Sequence, residues 1–170
     1  MCGTFYFGGK MRKFEKISFE QFKKDICDDI EMYNSYELPQ RHSSKSAGYD
    51  IRSLTEGIIK PGKSMVIRTG LKVKMNKDEV LYLIGRSSLG YKYDVCLANN
   101  VGVIDADFYN NEDNEGHFSV KLINHGEKDF EVKIGDRIAQ GIFSKYLITT
   151  DDKCEKKRTG GIGSTNKEEK

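Results

Sequence analysis

The segment Leu97-Ala98-Asn99-Asn100-Val101-Gly102-Val103-Ile104-Asp105-Ala106-Asp107-Phe108 holds the residues best suited to chemistry. An apolar run carrying one glycine ends on an acid, Asp105, and an aromatic ring follows three residues later. Folded as a β-hairpin, it would offer an amide (Asn99), free backbone groups near Gly102, a carboxylate and a stacking face around one small planar ligand. Ahead of it, Arg86-Ser87-Ser88 follows a strong strand where a turn or short helix should begin. A guanidinium fork, two hydroxyls and free N–H groups suit phosphate oxygens, although a capping Ser pair beside a surface Arg is the plainer reading. The chain closes on Arg158-Thr159-Gly160-Gly161-Ile162-Gly163-Ser164-Thr165. This is no Walker A loop, since Gly163 stands where the Lys should be, and the helix that a Rossmann fingerprint needs has no room to follow. Arg158 beside small residues would instead make a mobile clamp for a polyphosphate.

The elements that must hold these residues show in the periodicity. Leu71, Val73 and Met75 alternate with lysines, Phe118, Val120 and Leu122 with Ser119 and Lys121, and Phe130, Val132 and Ile134 with Glu131 and Lys133. Such half-buried strands, broken at Pro61-Gly62, Asn76-Lys77-Asp78 and Asn124-His125-Gly126, predict an all-β antiparallel sandwich or barrel. Ser18 and Gln21 form a capping-box pattern ahead of Phe19, Phe22, Ile26 and Ile30, which predicts one amphipathic helix over roughly 19–32. Residues 1–35 therefore read as an extension with a helix, 36–150 as the β domain, and 151–170 as a flexible tail carrying the glycines.

Composition narrows the class. The 170 residues suit one domain, and 37% hydrophobic with 32% charged residues describe an ordinary soluble protein. A net charge of only +2 gives no global field for nucleic acid or an anionic membrane. The longest apolar run, Val80 to Ile84, is far too short to span a bilayer. Four scattered cysteines with no CxxC, and no apolar signal core near the start, lead to the expectation of a reducing, cytoplasmic setting. The acidic run Asn110–Glu115 lacks the Gly and Glu of an EF-hand and reads as an inserted loop.

Five blocks in order, Ala47-Gly48-Tyr49-Asp50, Gly85-Arg86-Ser87-Ser88-Leu89-Gly90, Leu97–Phe108, Gly135-Asp136-Arg137-Ile138-Ala139-Gln140 and Arg158–Thr165, resemble the five motifs of trimeric dUTP nucleotidohydrolases (dUTPases). The resemblance covers roughly residues 36–166, and the inserted loop is similar to that of a bacterial and phage-like subgroup. It implies a jelly-roll-like fold, a homotrimer with shared sites, and hydrolysis of dUTP to dUMP and pyrophosphate. That reaction limits uracil in DNA and supplies dUMP for dTTP synthesis. It implies that Asp105 orients the attacking water, and that Asn99 with the backbone of Gly102, Val103 and Ile104 reads uracil. Phe108 would lie against the deoxyribose. Arg86, Ser87, Ser88, Gln140, Arg158, Gly163 and Ser164 would hold the phosphates, and Ile162 would cover the base. Asp50 and Asp136 would support the site, the latter by pairing with an Arg. Mg²⁺ would be held by phosphates and waters, with no direct protein ligand.

Three positions depart from the common pattern: Phe108 replaces a Tyr, Ile162 a Phe, and Arg158 lies one residue closer to the glycines, so that Lys157 could share its task. Two rival readings keep the fold. A dCTP deaminase would need a Glu on the strand after the hairpin, where Lys121 stands. A regulatory module would use the N-terminal helix and the 110–115 loop, with Asp105 dispensable.

Overall fold

The computed structural model describes residues 11–155 together with Arg158 and Gly160. Ten strands are present among them. One antiparallel sheet contains β1 (Lys13–Lys16), β4 (Ser64–Lys74), β8 (Phe118–Asn124) and β6 (Val95–Leu97), in that spatial order. A second contains β2 (Tyr49–Arg52), β10 (Arg137–Lys145), β5 (Glu79–Ile84) and β7 (Val101–Asp105). The pair β3 (Gly57–Ile59) and β9 (Phe130–Val132) forms a small third sheet. Inward residues of both large sheets share one core, with Ile67, Leu71, Val120 and Leu122 from the first and Ile51, Leu81, Leu83 and Ile138 from the second. Each such side chain contributes about 1.5–3 kcal/mol by leaving water. The predicted alternation holds over β4 and β8. The third run is shorter than predicted: β9 stops at Val132, and Ile134 is exposed in the following turn.

Two expectations are corrected here. The single helix over roughly 19–32 is two short ones, α1 (Phe19–Asp25) and α2 (Ile30–Ser35). Asp29 is the cause, since its carboxylate accepts from the Met32 N–H at 2.9 Å and starts a new helix there. The segment 97–108 is also no hairpin, because β6 pairs with β8 while β7 pairs with β5. It is a corner that carries the chain from one sheet to the other, with Asn100 left-handed at its tip. In addition, residues 13–16 of the expected extension form an edge strand on β4.

The N-terminal segment docks on a bulge in β4. Gly70 there has φ +68, and a Cβ would stand 2.7 Å from Leu54, so this position needs glycine. Its carbonyl accepts from Ile17 N–H at 3.0 Å and Tyr36 Oη at 2.7 Å, and its N–H donates to His117 Nε2 at 3.0 Å. Because Nε2 is an acceptor, His117 is the neutral tautomer, with Nδ1–H donating to Asp25 at 2.6 Å. No helix among the described residues is long and apolar enough to cross a membrane.

This arrangement sets a pH response. Burial pushes the His117 pKa below its ordinary 6.5, against the pull of Asp25. For Asp25, burial alone would raise the carboxyl, but hydrogen bonds from His117 and Gln21 hold it below 3.8. Arg68 on β4 and Glu115 on the loop leading into β8 are the other charges that act on His117, with opposite signs. The unfolded chain therefore binds protons more readily than the folded one at both groups, and stability falls as pH drops. The unfolding midpoint should decline below pH 6.5 through His117, then again near 3.8 through Asp25. His117→Gln should abolish the first decline. Melting curves of that variant showing the same loss between neutral and mildly acid pH would assign the effect elsewhere.

Candidate active site

Two polar centres flank β5. The first gathers on Asp50, which strand pairing places opposite Gln140, itself opposite Ile84 at the end of β5. Asp50 is buried. Its carboxylate lies 3.2 Å from Arg86 Nε, 3.3 Å from an Arg137 guanidinium nitrogen and 2.9 Å from His42 Nε2. The Gln140 amide donates to it at 3.5 Å. The Arg86 contact is ionic only, since its buried Nε–H has no hydrogen-bond acceptor. One aspartate thus fans out two guanidiniums and an amide beside the start of α3 (Ser87–Tyr93). Arg86 is the N-cap of that helix and no side chain caps it, so the capping reading of Ser87 and Ser88 does not hold. Ser87 is exposed and Ser88 half-buried.

The second centre is Asp105, the last residue of β7, followed by the short 3₁₀ turn Ala106–Phe108. Its carboxylate accepts from an Arg158 guanidinium nitrogen at 2.7 Å, and Asp107 accepts from Arg158 Nε at 3.0 Å. The same guanidinium lies 5.7 Å from the centre of the Phe108 ring. A groove of about 470 Å³ opens beside Asp105 and Asp107, lined by Val103, Tyr82, Lys77 and Tyr146. Val101 and Val103 point outward and are exposed, whereas Gly102 is buried and Ile104 packs on the core. Asn99 stands exposed on the corner turn, whose Ala98 N–H donates to the Lys121 carbonyl at 2.8 Å.

Several of the expected residues sit in surroundings the sequence does not show. Among the described residues Asp136 pairs with no Arg; it is exposed and accepts from the Lys133 N–H at 2.9 Å, closing the turn before β10. The acid that pairs with arginines is Asp50. Phe108 is not an open platform, since it belongs to the core and only 5% of it is exposed. Arg158, expected to clamp phosphates, here lies against two carboxylates of its own chain. Ile162, Gly163, Ser164 and Lys157 lie outside the described residues. Arg137, His42 and Asp107 were not singled out in the sequence. Arg137 was visible beside Asp136, but only the β2–β10 register reveals its partner.

An antiparallel β protein that sets a carboxylate and a cation cluster on one sheet is the class defined here. The dUTPase family model matches residues 34–166. The deoxyuridine 5'-triphosphate nucleotidohydrolase of Lactococcus lactis subsp. lactis is 43% identical over 130 residues, covering 75% of this chain and 87% of that protein. The crystal structure of dUTPase from Streptococcus mutans superposes with a TM-score of 0.67 at 34% identity, covering 80% of this chain and 97% of that one. A mutant dUTPase from phage phi11 of S. aureus, described for its coordination of a structural Mg(II) ion, shares the fold with a TM-score of 0.62 at 18% identity. The chain belongs to the dUTPase family.

Asp50 offers a direct test of the first centre. Asp50→Ala leaves two guanidiniums without their counter-charge. Both keep some exposure, so the loss should be about 1–3 kcal/mol rather than that of a fully buried pair. Urea unfolding should show it, and a loss below a few tenths would mean the cluster is held by other contacts.

Proposed function

We propose that this protein hydrolyses dUTP to dUMP and pyrophosphate as a homotrimer whose sites are shared between copies. The observation that carries the reading is the placement of Asp105 at a strand end beside an open groove, within a chain matched to the dUTPase family over residues 34–166. Asp105 pairs with Val80 and Val101 with Ile84, so Asp105 and the Asp50 cluster lie at opposite ends of β5. Four residues of strand separate them by ~13 Å. An acid that orients water and the donors that hold the same triphosphate must work within hydrogen-bond reach of one substrate. A second copy supplying Arg86, Ser87, Ser88 and Gln140 meets that demand. The exposed Val101, Val103, Leu147 and Ile148 give such a copy apolar surface to cover.

In this reading Asn99 and the backbone of Gly102, Val103 and Ile104 bind the uracil edge. A site built to hydrogen-bond that edge leaves polar groups unpaired with cytosine. Asp105 orients the water that attacks the α-phosphorus and takes its proton, while the bond to the pyrophosphate oxygen breaks. The tail residues Arg158, Ile162, Gly163 and Ser164 close over the nucleotide. A triphosphate draws Arg158 away from Asp105 and frees that carboxylate to meet the water. Hard oxygens of Asp105 and Asp107, side by side and part-exposed, fit the watery surroundings of Mg²⁺. The ion supplies neutralisation of phosphate charge, and the phosphates with their waters hold it. The dCTP deaminase alternative is not favoured, because Lys121 on β8 beside the corner turn provides no carboxylate.

Pyrophosphate release from dUTP should exceed that from UTP and dCTP by orders of magnitude; comparable kcat/KM for UTP would show that the site does not select deoxyribose over ribose. Asp105→Asn should retain the fold and nucleotide binding while losing about 10²–10⁴ in rate. Near-normal turnover in that variant would assign water activation to another group. Chains truncated after Lys156, mixed with full-length Asp105→Asn chains, should regain activity neither parent has. Mixed trimers, verified by mass, that stay inactive would exclude a tail donated between copies.

A further inference from the structure

The N-terminal segment precedes the residues matched to the family, yet its side chains grip the loop that leaves the active site. The capping box at Ser18 is completed from an unexpected place. Ser18 Oγ accepts from the Gln21 N–H at 3.1 Å, but the Gln21 side chain turns away to Asp25. The Ser18 N–H donates instead to the Glu115 carboxylate at 3.0 Å, and the Ser18 hydroxyl donates to the same group. Glu115 thus stands in for the reciprocal arm of the box, from far along the chain. Lys72 Nζ donates to Glu115 at 3.0 Å and to Asn110 Oδ1 at 2.8 Å. Two further links are parallel to this one. Tyr109 Oη donates to Glu15 at 2.6 Å, and His117 Nδ1 to Asp25 at 2.6 Å.

The gripped loop has little freedom to move independently of the site. Asn111 Nδ2 donates to the Phe108 carbonyl at 2.9 Å, and Gly116 adopts φ +82 where a Cβ would stand 2.5 Å from that same oxygen. Phe108 closes the turn that begins at Asp105. Contact therefore runs from Glu15, Ser18 and Asp25, through Tyr109, Glu115 and His117, to the turn that carries the proposed catalytic acid.

We propose that residues 15–25 act as a clasp on the 109–117 loop, with Glu115 a positioning residue that fixes Asp105 for catalysis. The catalytic half rests on the dUTP reading above. The experiment uses full-length protein and three variants, Glu115→Ala, Glu115→Gln and Tyr109→Phe. Amide exchange over residues 105–117 and steady-state dUTP kinetics are measured on each. In Glu115→Ala, exchange should rise at 105–117, and kcat should fall about 10–100-fold with a smaller change in KM. Glu115→Gln keeps an acceptor for Ser18 and should recover most of the kcat. Tyr109→Phe, which keeps the ring, should show a weaker form of both effects and decides the matter if Glu115→Ala does not fold. Unchanged exchange overturns the clasp, and raised exchange at normal kcat overturns the positioning role. A wild-type chain with no dUTP hydrolysis removes the reading of function by itself; raised exchange at Asp105–Phe108 then still supports the clasp, and unchanged exchange sinks it.

Discussion

A residue in an antiparallel ladder cannot slip by one without turning its whole strand inside out, and this register lock on β5 governs the rest of the molecule. β5 pairs with β10 on one side and β7 on the other. The first pairing fixes Gln140 and, one strand further, Asp50 at the Ile84 end; the second fixes Asp105 at the Val80 end. The two charged centres are consequently as far apart as the strand is long. No side-chain rotation can merge them. The buried Asp50 adds a second constraint, because a carboxylate out of water needs partners. Two arginines and a glutamine supply them, which holds three long, otherwise floppy side chains in one place and leaves them poised at the sheet end.

The opposite flank is built on a bulge instead of a regular ladder. At Gly70 the β4–β8 pairing shifts, freeing a carbonyl and an N–H that a regular strand would spend on its neighbour. Ile17, Tyr36 and His117 take up those groups, so a defect in the sheet becomes the anchor for a helical segment. The anchor is polar at its centre and aromatic around it: Phe22 stacks on Tyr36 with ring centroids 5.8 Å apart. Polar satisfaction sets where the segment sits, and apolar burial of Ile17, Phe22 and Leu54 makes it stay.

What was legible in the sequence follows from how local each signal is. The alternating runs around Leu71 and Phe118, the turn at Pro61-Gly62, the helix start at Ser18 and the short helix after Arg86 all depend on neighbours within a few residues, and they fold as read. Failures arise where the deciding partner is distant. Nothing local shows that β6 and β7 belong to different sheets, so a corner resembled a hairpin. Asp136 and Asp50 are equally plausible partners for an arginine until the β2–β10 register sets Asp50 beside Arg137. Phe108 reads as a stacking face from its place after Asp105, but its burial depends on packing from both sheets. The break between α1 and α2 was a local signal missed: Asp29 caps a new helix through the Met32 N–H.

The Arg158 contact shows why an occupied carboxylate is not a locked one. The guanidinium spans Asp105 and Asp107, whose side chains remain 48% and 55% exposed. Pairs with that much solvent contribute about 0–1 kcal/mol each and weaken further with salt. Such a contact is strong enough to place Arg158 beside the groove and too weak to hold it there against a ligand of higher charge. A group with several anionic oxygens on one phosphorus competes for the same planar fork, since a guanidinium meets phosphate as well as carboxylate in bidentate geometry. The balance is therefore decided by local charge density and ionic strength, and a small difference in free energy suffices to release the arginine from the two acids.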